Sequence, residues 1–438
     1  MRAHFFELCE RLAQELRGGE VLLCSLRAER SDFVRFNRAS VRQAGSVEQR
    51  AASLRLVKAG RQAAATLTVA GTREDLEPAR RALGRVREAL AGLPEDPWLL
   101  INQTPQSTCL ERRGTLAPAQ AVVSQAGAAA QGLDLVGFYA GGTICRGFAS
   151  SLGQRNWHEI DSFNFDWSLH RGPRQAVKAA YAGLDWQGEE LKRRIEAATA
   201  QLALLELPER QLSPGEHRAY LAPRAMEELL GLLSWGGFSA RARATRQSPL
   251  LRMQEGERLS SEVTLTESTA QGIAPGFQAE GFVKPAAVTL IDKGRLGEAL
   301  ASPRSAKEYG LAGNAASAGE SPESLDMAGG GLEERDVLRV LDTGLYLSNL
   351  WYLNYSDRPA GRITGMTRFA TFWVQGGKIV APVGAMRFDD SIYRILGKNL
   401  AALTRSRELL LDPSTYAERS TSSARLPGVL LSALRFTL

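Results

Sequence analysis

The sequence predicts an α+β fold with mainly antiparallel sheets. An N-terminal antiparallel sheet carries packed helices, and a C-terminal β-rich domain has few helices. Three observations predict it. Stretches such as Val34-Arg35-Phe36 and Leu54-Arg55-Leu56 alternate apolar and polar residues, as half-exposed strands require. Strands and helices do not alternate regularly, which argues against a doubly wound sheet. From Gly236 to Gly331 the chain is rich in Gly, Ser and Ala and weakly patterned, which reads as short strands and long loops.

The elements follow in order. A helix over about 3–17 places Phe5, Leu8, Cys9, Leu12 and Leu16 on one face and stops at Gly18-Gly19. Strand runs follow at Val21–Leu26, Phe33–Asn37, Ala52–Lys58 and Ala64–Val69. Thr72 to Asp75 resembles a capping box and opens a helix to about Leu90, buried through Leu76, Ala79, Leu83 and Val86. A helix near Ala117–Gln131 precedes strand runs at Leu133–Ala140, Thr143–Ser150, Arg155–Glu159 and Asp161–Leu169. A helix from Gly188 to Leu205 closes this part.

The Pro and Gly residues between Leu207 and Gly215 mark the domain boundary. The expected domains are 1–207, in two strand-and-helix segments (about 1–95 and 112–207), and 208–438. In the second, a strand at His217–Leu221 leads into a helix over Pro223–Ser234, with Pro at its start. Ala286–Ile291 is the clearest strand of the loop-rich region, followed by a turn at Asp292–Arg295. A helix at Leu332–Leu341 precedes a strand near Leu345–Leu350. Phe369–Val374 and Lys378–Val383 form a hairpin around Gly376-Gly377. Asp389 or Asp390 is expected to cap a helix running to Thr404. Val429–Leu438 reads as a terminal strand.

Composition narrows the chemistry. The 438 residues, 44% hydrophobic and 23% charged, imply two or three domains. There are four His (His4, His158, His170, His217) and four Cys (Cys9, Cys24, Cys109, Cys145). No CxxC and no closely spaced His pair exists, so a zinc finger or a zincin helix is excluded. GxGxxG, GxxxxGK[ST], GxSxG and HExxH are absent. No apolar run suits a membrane span. Glu7, Glu10 and Glu15 interrupt the place where a signal peptide needs apolar residues, so a cytoplasmic chain with reduced thiols is expected. Of 54 basic residues only eight are Lys, which points to a GC-rich genome and lowers the weight of isolated Arg.

Isolated candidates remain. Cys145 is a conceivable nucleophile, but a small residue packed in a strand explains it as well. His170 and His217 are conceivable bases without a spaced partner. His158 reads as structural. Residues 27–61 carry nine positive charges against three negative. That is a phosphate-tracking face or, more plainly, the solvated face of a sheet.

The carboxy-terminal half resembles the TldD/PmbA family, the modulator-of-DNA-gyrase peptidases. The resemblance rests on an ordered series. Its first members are Leu221–Gly231, Ser234–Gly237, Phe277–Gly281, Leu290–Gly294 and Tyr309–Asn314. Asp342–Tyr346, Gly361–Phe369, Val374–Val383 and Ile395–Leu400 complete it. The amino-terminal half is similar in element order. The resemblance implies two kinds of chain. One carries an H-E-x-x-x-H helix and a later Cys that hold zinc, and the other lacks them and pairs with the first.

Here the matching helix reads Glu227-Glu228-Leu229-Leu230-Gly231-Leu232. With Gly231 and Gly236-Gly237 as anchors, Glu227 and Leu232 occupy the two His positions and Glu228 the catalytic Glu. No Cys follows Cys145. Zinc needs three protein ligands, and Glu228 alone cannot activate water. An acidic first helical turn, favoured by the helix dipole, also accounts for the two Glu.

The resemblance therefore implies a non-catalytic subunit that binds no metal. Zinc belongs to a TldD-like homologue in a heterodimer, and unfolded peptide is the substrate; a membrane or nucleic-acid partner is not expected. The alternative is a stand-alone homodimer that binds peptide or nucleic acid without peptidase activity. A hydrolase using Cys145 or a His is the third reading.

Overall fold

A computed structural model describes residues 1–172 and 175–437. The first half contains α1 (Arg2–Ala13), β1 (Val21–Asn37), β2 (Ser40–Lys58), β3 (Arg61–Thr68), α2 (Leu76–Leu90) and β4 (Thr108–Arg112). It continues with α3 (Ala119–Ala129), β5 (Asp134–Ser150), β6 (Arg155–Arg171), β7 (Gln175–Gly183) and α4 (Gly188–Leu204). Its strands make one seven-stranded sheet in the order β3-β2-β1-β5-β6-β4, with β7 on β6. Every pairing is antiparallel except β4 with β6.

Side-chain alternation gives this sheet two different faces. On one, Leu22, Leu26, Leu54 and Trp157 share a core with Phe5 and Leu12 of α1 and Leu83 and Val86 of α2. Further along it, Tyr139, Phe163, Phe165 and Trp167 pack with Val122 of α3 and Leu191 and Ile195 of α4. The opposite face meets the second half of the chain. There Ile144 and Ile160 pack with Ile273 and Leu411, and Phe148 packs with Phe277.

The second half contains β8 (Gly215–Leu221), α5 (Pro223–Ser234), α6 (Ala240–Ala244), α7 (Leu251–Gln254), β9 (Leu265–Glu267), β10 (Val288–Asp292) and β11 (Arg295–Leu296). Then come α8 (Pro303–Tyr309), β12 (Ser324–Met327), α9 (Val337–Leu341), β13 (Gly344–Asp357), β14 (Arg362–Gln375) and β15 (Lys378–Pro382). The last strands are β16 (Arg387–Ser391), β17 (Leu400–Leu411) and β18 (Ser423–Phe436). Eleven strands form one sheet, and β18 pairs with both β16 and β8. The five strands β18, β16, β14, β13 and β8 therefore close a ring. Met226, Leu229, Leu230 and Leu233 of α5 share a core with Leu345, Leu347, Val429 and Leu431 of the ring. This burial explains why α5 begins and ends where its apolar stripe does.

The sequence reading differs from the structure at several elements, among them β2, a strand over Ser40–Lys58 where only Ala52–Lys58 was expected. The paired strand runs over 21–37, 134–150 and 155–171 are each one continuous strand. Their middles lost the expected alternation because buried polar groups there, among them Glu29, Ser31 and Ser162, face a segment of the second half. β4 and β7 were not expected at all. The helix expected from Asp389 or Asp390 to Thr404 is instead β16, a π-helical turn at Arg394–Lys398, and β17. Pairing of β17 along β18 overrides the local helical pattern. The terminal strand is present through Phe436; Leu438 lies outside the described residues.

Within the loop-rich region a single carboxylate organises two helix starts. Buried Glu320 accepts hydrogen bonds from Ser239 Oγ (2.6 Å) and the Arg241 N–H (3.0 Å) at α6. It also accepts from the Ser302 N–H (2.9 Å) and Ser302 Oγ (2.8 Å) at α8. Burial pushes its carboxyl up, but these donors outweigh that and hold it below its ordinary value. Glu320→Gln should cost about 2 kcal/mol at neutral pH, since it loses the charge beside both helix starts and turns an amide toward donors. The depressed carboxyl contributes fully above its unfolded pKa. The gap between wild type and variant should therefore narrow as pH falls through the native value, which denaturation at several pH values will read.

Candidate functional site

The helix α5 begins with Pro223 at its first turn, after β8. Its start faces the first sheet at the place where the contact between the two sheets ends. Arg224 reaches across and pairs with Asp166 of β6 (3.2 Å) and, one turn along the helix, with Glu227. Asp166 also pairs with Lys178 of β7 (3.3 Å). Behind them, Arg194 of α4 pairs with Glu190 (2.7 Å) and Glu408 (2.5 Å) and donates to the Ala180 carbonyl (2.8 Å).

Of these residues, Arg224, Lys178, Arg194 and Glu408 wall a cavity of about 300 Å³, which Tyr220, Tyr346 and Ser348 also line. This volume is at the lower end for a ligand site. Beyond Asp166 the uncovered face of the first sheet continues into a second cavity of about 280 Å³, lined by Arg35, Val136, Phe138 and Ser168. The two cavities flank the ion pairs of Asp166 with Lys178 and Arg224, which connect their linings.

The electrostatics are those of compensated burial. Burial lowers the Arg224 guanidinium, but the Glu227 and Asp166 carboxylates more than restore it and hold it charged. The Glu227 carboxyl stays above its ordinary value because burial outweighs Arg224. Glu228 reaches solvent on the neighbouring flank. Desolvation by the surrounding protein, then the Glu227 charge, push its carboxyl up.

The expected site positions therefore separate. Glu227 pairs with the cavity-lining Arg224 and Glu228 is exposed beside it, whereas Leu232 is 9% exposed and packs in the core. The donor set does not fit zinc. Leu232 offers no ligand atom, and Glu227 is engaged by a guanidinium. Among the described residues no group of three His, Cys, Asp or Glu could hold a metal ion.

The isolated candidates lie elsewhere. Burial and then Glu159 push the half-buried Cys145 thiol up to about 12, which disfavours the thiolate a nucleophile needs. His217 Nε2 hydrogen-bonds the Ser213 carbonyl (3.0 Å). His170 pairs across from Asp134 and Ala176 at the end of β6. Of the basic stretch, Arg27, Arg50, Arg55 and Arg61 pair with Glu418, Glu48, Glu280 and Glu95. Sequence reasoning missed Arg224, Asp166 and Lys178. The first two are separated by 58 positions, and Lys178 lies on a strand it did not expect.

The second half of the chain is metallopeptidase-like by family. The PmbA/TldA metallopeptidase C-terminal domain matches residues 214–438. The chain belongs to the PmbA/TldD family. Similar solved structures include a candidate modulator of DNA gyrase from Thermotoga maritima, with TM-score 0.78, 13% identity and 100% of each chain covered. TldE from Thermococcus kodakarensis has TM-score 0.78 and 13% identity, covering 99% of this chain and 100% of that one. A further candidate modulator of DNA gyrase, from Bacteroides thetaiotaomicron, has TM-score 0.76 and 16% identity, covering 99% of this chain and 98% of its own. At these identities the likeness is one of fold. No curated protein sequence matches. Among the described residues no helix is long and apolar enough to cross a membrane.

Proposed function

We propose that this chain is the non-catalytic subunit of a two-chain, cytoplasmic metallopeptidase. A zinc-bearing homologue supplies the metal and the general base, and this chain binds no zinc itself. Its first cavity forms part of the wall that holds unfolded peptide. The observation that carries the reading is the composition of α5: Glu227 is paired with Arg224 and Leu232 is in the core, at the two positions where the family resemblance would put His ligands. The first cavity supports the peptide part, because residues 177–180 of β7, which pairs with β6 alone among the described strands, line it, and extended peptides bind by adding to a sheet edge.

Co-expression with a zinc-bearing homologue tests the pairing. The expected result is a stable complex whose peptidase activity needs both chains. Activity of the homologue that is indifferent to this chain would overturn the reading.

A further inference from the structure

We infer that the second cavity is a carboxylate-binding subsite of the peptide-binding wall, with Arg35 and Arg42 as its recognition groups. The inference extends the reading above from peptide in general to a peptide that presents a carboxylate there.

Arg35 and Arg42 both line the cavity, and among the described residues neither has a carboxylate within ion-pair distance. Their position is built by the hairpin. Between Arg35 and Phe36 the register of β1 against β2 shifts, because Arg35 faces Gln43 and Phe36 faces Val41. Arg42 is thus the extra residue of a bulge, and bulges re-aim side chains. The guanidinium of Arg35 lies 5.7 Å from the centre of the Phe138 ring, which itself stacks on Phe33 at 5.8 Å. The floor is apolar, through Val136 and Phe138. The acid at the far end, Asp166, is already engaged by Lys178 and Arg224. Two unpaired cations over an apolar floor suit a carboxylate next to an apolar side chain.

A nucleic-acid backbone suits the same surface less well. It needs a continuous basic track, and Arg27, Arg50, Arg55 and Arg61 are each tied to a carboxylate of this chain. Of the five basic residues of that stretch that have no ion pair among the described residues, Arg35 and Arg42 meet at one open cavity, with their side chains exposed to an incoming ligand.

The probe is a short, fluorescein-labelled, unstructured peptide of Gly, Ser and Leu ending in Leu with a free carboxylate. Anisotropy with the full chain is compared for three peptides: this one, its C-terminal amide, and an amide carrying one internal Glu. Preference for the free acid identifies the chain terminus as the source, and preference for the Glu peptide identifies a side chain. Either supports the inference. The double variant Arg35→Gln, Arg42→Gln should weaken the preferred peptide about tenfold or more, with unchanged binding of the plain amide and an unchanged melting temperature.

Equal binding of all three peptides overturns the subsite and leaves the subunit reading standing, as does unchanged affinity in the variant. Failure to bind any of them overturns the subsite, and the pairing is judged by co-expression alone. Tighter binding of a single-stranded oligonucleotide, with a steep salt dependence lost in the variant, assigns the face to nucleic acid and overturns the inference.

Discussion

Arg419→Ala should lower the unfolding free energy by about 3–5 kcal/mol, a large fraction of the total for a typical domain. Arg419 is 5% exposed and lies on the connection between β17 and β18, which crosses onto the first sheet. Its guanidinium donates to the Gly142 carbonyl (3.1 Å), Ser31 Oγ (3.3 Å), the Ser162 carbonyl (2.7 Å) and Ser162 Oγ (2.8 Å). Its own N–H donates to Glu29 (3.0 Å). These acceptors lie in one row across β1, β5 and β6, since Ser31 pairs with Gly142 and Gly142 with Ser162.

Position 142 admits only Gly, because a Cβ there would stand 2.1 Å from the Arg30 carbonyl oxygen. Removing the guanidinium strands these acceptors in a buried contact between the connection and the first sheet. Arg419→Met, which fills much of the volume but donates nothing, should recover little. Urea unfolding will measure both. A loss under about 1 kcal/mol would show that the connection is not anchored through this residue.

The second large effect concerns acid. His158 is buried on the face of β6 that meets the second half, where Nε2 donates to the Ile273 carbonyl (3.0 Å). Burial pushes its pKa down to about 4. Between its unfolded value and that value only the unfolded chain takes the proton. His158 therefore withdraws up to about 3 kcal/mol of stability as pH falls from 6.5 to 4.

Glu267 acts in the opposite direction. Burial first, and Glu323 with it, push its carboxyl up to about 7, against hydrogen bonds from the Ser324 and Glu323 N–H groups and the charge of Lys284. Its native form takes a proton before the unfolded one, so it adds stability as pH falls from 7 to 4.5. The two largely cancel in wild type. Single substitutions should separate them. His158→Gln should lose stability less steeply than wild type on acidification, and Glu267→Gln more steeply. Parallel profiles for all three proteins would rule out both assignments.

How far the sequence could be read follows from where each signal lives. The helix Pro223–Ser234 was legible to the residue, because its Pro start and apolar stripe are both local. Glu227 and Glu228 were legible as an acidic turn of that helix and Leu232 as part of its apolar stripe, though not the partner that occupies Glu227. Asp166 and Lys178 meet through the pairing of β6 with β7, and Arg224 reaches Asp166 only because α5 packs beside that sheet. Lys178 sits in Gln175–Gly183, where four Ala among nine residues gave a weak strand signal. Arg419 was lost among the other arginines of the tail, and only burial distinguishes it. Polar residues inside β1, β5 and β6 hid the length of those strands, since they serve the contact between sheets rather than a solvent face.

The central claim is that α5 has given up metal chemistry to a partner. Metal analysis of the full chain, purified alone after loading with zinc and exhaustive dialysis, tests it most directly. The account predicts far less than one zinc per chain, with Glu227→Ala leaving that background unchanged. One zinc per chain, lost on Glu227→Ala and accompanied by peptide cleavage, would contradict it.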